Sequence, residues 1–109
     1  MPASHPEQFD DVSVPCKANV YFDGKVVSHT LLFADGSRKT LGLIYAGSFT
    51  FNTDAAEHMA ITSGQCRARL KGETQWRTFG PGTGFDVPAK SAFDIAVDDG
   101  ICQYICSFK

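Results

Sequence analysis

No stretch of this chain keeps apolar residues at a helical period for three turns, while turn-forming residues recur throughout it. Asp23-Gly24, Asp35-Gly36-Ser37, Ala46-Gly47, Ser63-Gly64, Lys71-Gly72-Glu73 and Asp98-Asp99-Gly100 each read as a reversal. Alternating segments lie between them: Ala18–Phe22, Lys25–Leu32, Arg38–Tyr45, Ser48–Asn52, Glu57–Thr62, Gln65–Lys71 and Gln75–Phe79. After the glycine-rich loop Gly80–Gly84, Phe85 and Val87 alternate with Asp86 until Pro88 ends the strand. Phe93, Ile95 and Val97 form one inward stripe. In the last strand Cys102, Tyr104, Cys106 and Phe108 oppose Ile101, Gln103, Ile105 and Ser107. Many short strands in one chain of this size predict an all-β sandwich or small barrel.

Within Gly47–Gly64 one charge sits among apolar residues at a spacing of two. Side chains of an extended strand alternate faces, so Glu57, Met59, Ile61 and Ser63 share one side, and His58, Ala60 and Thr62 the other. Met59 and Ile61 favour burial and carry Glu57 inward with them. A carboxylate in a small β interior needs a partner, a raised pKa or a chemical role.

The chain has 109 residues, enough for a single domain, with 43% hydrophobic and 20% charged residues and a net charge of −2. That balance carries no basic excess for nucleic acid, and no apolar run approaches the roughly 20 residues that span a bilayer. The start of the sequence lacks the charged-then-apolar pattern of a leader, so the expected compartment is the cytoplasm, with neither a nucleic-acid nor a membrane partner. Residues 1–15 contain Pro2, Pro6 and Pro15 and read as a flexible or loosely docked tail, with the domain over 16–109. Cys16, Cys66, Cys102 and Cys106 form no CxxC pair and read as small buried apolar residues.

Two spacings resemble a known barrel. The cupin signature H-x-H-x3-E-x6-G appears here as Phe51-x-Thr53-x3-Glu57-x6-Gly64. Its second half, G-x5-P-x-G-x2-H, appears as Gly82-x5-Pro88-x-Lys90-x2-Phe93. The resemblance implies a single-domain cupin-type β-barrel, a double-stranded β-helix or jelly roll. The three imidazole positions hold Phe51, Thr53 and Phe93, and phenylalanine offers a metal no lone pair. No metal cofactor is therefore expected.

A denser set of residues surrounds that frame. It runs Asn19-Val-Tyr-Phe-Asp-Gly-Lys-Val-Val-Ser28, Arg38 before Thr40-Leu-Gly-Leu, Gly47-x-Phe-Thr-Phe51, Glu57-x-Met59-x4-Gly64, Trp76, Gly82-x2-Phe85-x-Val-Pro88 with Phe93, and Tyr104-x-Cys106. Over residues 19–109 it resembles the pyrimidine/purine nucleoside phosphorylase family of single-domain cupins. The resemblance implies phosphorolysis, in which inorganic phosphate converts a nucleoside to free base and pentose 1-phosphate. It implies a broad range of purine and pyrimidine substrates and a homodimer. Where some relatives end in an arginine, this chain has Ser107-Phe108-Lys109.

Such a reaction needs groups for a phosphate anion, for ribose hydroxyls and for a cation-like sugar. Glu57 is the candidate catalytic carboxylate, accepting from ribose or stabilising charge at the anomeric carbon; the competing reading is a structural glutamate paired with Arg38 or a backbone amide. Arg38, which matches a family arginine and whose fork suits phosphate, joins Ser28 and Lys25 as candidate phosphate ligands. Phe51, Phe93, Tyr104, Phe22 and Tyr45 are candidates to stack on a base. Two other readings compete: a sugar- or nucleoside-binding module without turnover, and a metal cupin using Glu57, His58 and Cys66.

Overall fold

The computed structural model describes residues 5–108. Its strands are β1 (Asn19–Tyr21), β2 (Val26–Leu32), β3 (Arg38–Asn52), β4 (Glu57–Ser63), β5 (Cys66–Leu70), β6 (Arg77–Phe79), β7 (Gly84–Val87) and β8 (Ala92–Phe108). One 3-10 turn, Phe22–Gly24, joins β1 to β2. The chain is thus all-β, as its alternation predicts, with the cupin-type jelly-roll plan folded as a sandwich rather than a closed barrel.

Two long strands organise it. β3 and β8 pair antiparallel from Lys39↔Ser107 to Asn52↔Ala92. One half of the ribbon carries β2 and β1 beyond β3 and β4 and β7 beyond β8, while the other half carries β5 and β6. The same strands therefore serve both layers, and the inner side chains of each half meet across the core.

The expected reversals at Ala46-Gly47 and Asp98-Asp99-Gly100 are corrected here, because both strands run through. Tyr45 pairs with Ile101 and Gly47 with Val97, so Ala46 stands opposite three residues of β8. That mismatch makes a bulge that bends the ribbon instead of reversing it. Gly100, at φ 69°, takes a left-handed backbone that L side chains rarely adopt. Bulges and turns draw on the same residues, which is why the local sequence does not separate them.

The inner face is filled by Val26, Ile44, Ile61, Val87 and Ile95, all essentially without solvent exposure. Each such side chain contributes about 1.5–3 kcal/mol of transfer free energy. Cys66, Cys102 and Cys106 are buried free thiols, as the composition predicts, but Cys16 is exposed, lying before the first strand. Phe22 also departs from its expected strand position, sitting in the 3-10 turn at φ 51°. Trp76 precedes β6, with the guanidiniums of Arg67 and Arg69 at 5.1 and 4.5 Å from its ring. Ahead of β1, Ser13 pairs with Leu32 through two backbone hydrogen bonds and Phe9 meets Phe33 edge-on. Among the described residues no helix is long and apolar enough to cross a membrane.

Candidate functional site

Between the layers lies a cavity of ≈ 440 Å³. Its polar wall comes from β1, β2 and β3: Asn19, Ser28, Thr30, Arg38 and Thr40. Alternation places them there, since Ser28 and Thr30 share a face of β2 with buried Val26, and Arg38 and Thr40 share one of β3 with buried Ile44. Asn19 pairs with Ser28 across β1 and β2. Its amide donates to Ser28 Oγ at 3.2 Å and to Thr30 Oγ1 at 3.1 Å.

Tyr104 and Cys106 of β8 close the adjoining side. Tyr104 pairs with Gly42, and its ring lies where a Cβ at that position would stand. Any larger residue at 42 would displace the phenol, which crosses β3 towards Ser28. Burial pushes the Tyr104 phenol up, so it stays protonated, and the facing Ser28 hydroxyl opposes part of that rise.

Glu57 enters from β4. Met59 and Ile61 are buried on the same face, which carries the carboxylate inward as expected. Opposite it, the Cys106 thiol donates to Glu57 Oε1 at 3.5 Å, a long contact suited to sulfur. Burial raises the Glu57 carboxyl above its ordinary value, while the Cys106 thiol and the Arg38 charge pull it back. Burial and the adjacent carboxylate push the Cys106 thiol up to about 12. Arg38 holds its guanidinium 4.0 Å above the Phe108 ring at the cavity edge, and it is exposed.

The three altered imidazole positions have different fates. Phe51 and Phe93 pair across β3 and β8 and stack, their centroids 5.4 Å apart and planes 19° off parallel. Their rings join Tyr21 as the apolar end of the cavity. Thr53 is buried outside the cavity lining and donates to the Pro88 carbonyl at 2.7 Å, while accepting from the Ser91 amide at 2.9 Å. It pins the loop before β8. These residues do not fit the metal centre of the fold: two rings donate nothing, and the remaining hydroxyl is committed to backbone. Among the described residues no three of His, Cys, Asp and Glu converge. The Glu57, His58 and Cys66 set is also corrected, because His58 points outward to Asp86 at 2.8 Å and Cys66 lies beside Cys102.

Glu57, Arg38, Ser28, Phe51, Phe93 and Tyr104 thus meet in one cavity. Lys25, Phe22 and Tyr45 do not line it. Lys25 is exposed beyond the turn, and Tyr45 lies on the outer face of β3 opposite Ile44. Phe22 packs outside Phe51, 5.4 Å between centroids. Sequence reasoning missed Asn19, Thr30, Thr40, Tyr21, Cys106 and Phe108 as lining residues. Shared parity with Ser28 and Tyr104 was the available signal for Thr30, Cys106 and Phe108. A second hollow of ≈ 370 Å³ lies on the outer face beneath His5–Phe9, against Val27, Leu41 and Ile105, and no buried carboxylate faces it.

Residues 16–108 match the family model described as pyrimidine/purine nucleoside phosphorylase. A protein of that description from Cupriavidus metallidurans is 57% identical over 101 residues, which are 93% of this chain and 97% of the relative. Another from Methylobacillus flagellatus is 54% identical over 102 residues, 94% of this chain and 98% of the relative. Among solved structures, a protein of unknown function from Acinetobacter sp. ADP1 superposes with TM-score 0.90 at 42% identity, covering 94% of this chain and 98% of its own. A cupin superfamily protein from Desulfitobacterium hafniense shares the fold, with TM-score 0.62 at 17% identity over 84% of this chain and 82% of its own.

Proposed function

The chain belongs to the pyrimidine/purine nucleoside phosphorylase family, and from that membership we propose that it is a pentosyltransferase cleaving purine and pyrimidine nucleosides with inorganic phosphate. The C1′–N bond to the base breaks, a C1′–O bond to phosphate forms, and the base leaves with the bond's electron pair. The observation that carries this reading is the half-buried Glu57 carboxylate in a cavity with an arginine and hydroxyls on one side and stacked rings on the other.

In this mechanism Phe51, Phe93 and Tyr104 hold the base and sugar. Stacking and apolar contact tolerate both purines and pyrimidines, because every base has a flat face. Glu57 accepts from the ribose hydroxyls and favours positive charge developing at C1′. A partly desolvated carboxylate acts more strongly on that charge than one in water. Arg38 and Ser28 hold the phosphate within reach of C1′, so that attack is effectively intramolecular. No metal is invoked, since the donor set suits none. We place the enzyme in the cytoplasm as a homodimer, with inorganic phosphate as co-substrate and no other cofactor.

The test is release of uracil from uridine and of hypoxanthine from inosine by purified protein, with and without phosphate. Release that needs phosphate and yields pentose 1-phosphate supports the reading. Nucleoside binding without release would overturn it in favour of a non-catalytic binding module.

A further inference from the structure

Arg38 is the one cationic side chain among the described residues that line the cavity, and Glu57 and Asp54 line it too. Phosphate at neutral pH carries between one and two negative charges. A single guanidinium, with one face over Phe108, cannot satisfy all of its oxygens. The remaining donors must be neutral.

We propose that Asn19, Ser28 and Thr30 form an oxyanion cradle for inorganic phosphate, with Asn19 as the positioning residue that makes both hydroxyls donors. This rests on the phosphorolysis reading above and adds Asn19 and Thr30 to its phosphate site. An amide nitrogen has two hydrogens, and here both are spent, on Ser28 Oγ at 3.2 Å and Thr30 Oγ1 at 3.1 Å. Each hydroxyl owns one hydrogen. Having accepted from Asn19, it is left to donate, and both hydroxyls line the cavity. The amide thus sets the polarity of the wall.

The sheet then supplies the spacing. Thr30 pairs with Thr40, and Leu32 with Arg38, so Thr30 and Arg38 are diagonal neighbours on one face of β2 and β3. Such positions are on the order of 7–8 Å apart, a gap that one phosphate between a hydroxyl and a long arginine can bridge. Asn19 itself sits on the short first strand, tied to β2 through three residue pairs. The Tyr104 phenol lies across Gly42 from Ser28, so one hydrogen of that hydroxyl pair is spent between them and one is left for an anion. Turning the amide over would reverse everything: its oxygen would take both hydroxyl hydrogens, and the wall would offer lone pairs to an anion.

Calorimetric titration of inorganic phosphate into nucleoside-free protein tests the cradle, with nucleoside affinity in phosphate-free buffer and melting temperature measured alongside. Wild type should bind phosphate. Thr30→Val should weaken it by about tenfold, the cost of one hydrogen bond to a charged group, and Asn19→Ala should weaken it less, since it only frees the two hydroxyls to turn. Asn19→Asp, which accepts only and adds negative charge, should abolish measurable binding. All three should keep nucleoside affinity within about twofold, since a merely structural defect would lower both. If wild type binds no phosphate, the functional reading itself falls. If wild type binds and Asn19→Asp or Thr30→Val binds equally well, the cradle is overturned and the functional reading stands.

Discussion

The Cys106 sulfur lies 3.5 Å from Glu57 Oε1, so the carboxylate of β4 and the thiol of β8 perturb each other across one wall of the cavity. The thiol, donating to the carboxylate, favours the ionised Glu57, while the carboxylate raises the cost of ionising Cys106, and the buried thiol stays protonated at neutral pH. Glu57→Gln removes the charge but preserves the side-chain shape. It should lower turnover by at least about a hundredfold, the scale of one electrostatic contact in a transition state. The same variant should let Cys106 ionise more readily, so iodoacetamide should label it faster at pH 8 than in wild type. Unchanged labelling would show that the two groups do not communicate.

The raised Glu57 carboxyl also makes stability depend on pH. A group whose pKa is higher folded than unfolded stabilises the fold below its unfolded value and loses that contribution as pH rises through the folded one. For Glu57 the window opens at the ordinary carboxylate value near 4.5 and extends upward. Glu57→Gln carries no such charge. Its melting temperature relative to wild type should therefore rise as pH goes from about 4 to about 7. A difference that falls over that range would mean the carboxylate is better solvated folded than unfolded.

Arg38 and Lys25, both candidate phosphate ligands, differ in place: Arg38 lines the cavity and Lys25 does not. Arg38→Met should raise KM for phosphate by about tenfold or more while leaving KM for uridine near its original value. Arg38→Lys should recover only part of the loss, because an ammonium lacks the planar fork. Lys25→Ala should leave both constants unchanged, as its side chain lies outside the cavity lining. Steady-state kinetics with phosphate and nucleoside varied in turn would decide this.

The stacked pair Phe51 and Phe93 occupies the place where the fold elsewhere carries imidazoles. Phe51→His with Phe93→His would present two imidazoles beside Glu57, the donor set of a two-histidine, one-carboxylate site. The double variant should take up Ni²⁺ or Zn²⁺ at about one equivalent, read by elemental analysis after dialysis, where wild type takes up none. It should also melt lower, since burying imidazole in place of a core ring costs about 2–3 kcal/mol. Metal uptake by wild type at the cavity would contradict the donor-set argument.

Much of the site was readable from parity alone. Side chains alternate because the extended backbone is pleated, so Met59 and Ile61 fix the face of Glu57 wherever the strand is placed. The same logic puts Ser28 with Val26, and Tyr104 with Cys102 and Cys106. The spacing of Gly64, Gly82 and Pro88 from the altered imidazole positions carried the cupin frame, since turns need those residues locally. Lys25, Phe22 and Tyr45 lie outside the cavity lining for a matching reason: residue chemistry and nearness to a turn do not say which surface a side chain reaches.

The covalent geometry of the chain determined which residues face inward, because that is a property of each strand by itself. Tertiary structure decided which inward residues are neighbours. Glu57 meets Cys106 across 49 positions only because β4 pairs with the second half of β8. Asn19 reaches two hydroxyls only because β1 caps β2 in one register. Thr53 left the cavity for Pro88 because a loop had to be held. Bulges at Ala46 and around Gly100 turned two apparent hairpins into one bent ribbon, whose two halves supply Phe93 and Tyr104 to one cavity. Long-range pairing is chosen by the summed packing of the whole core, and no local stretch of sequence contains that sum.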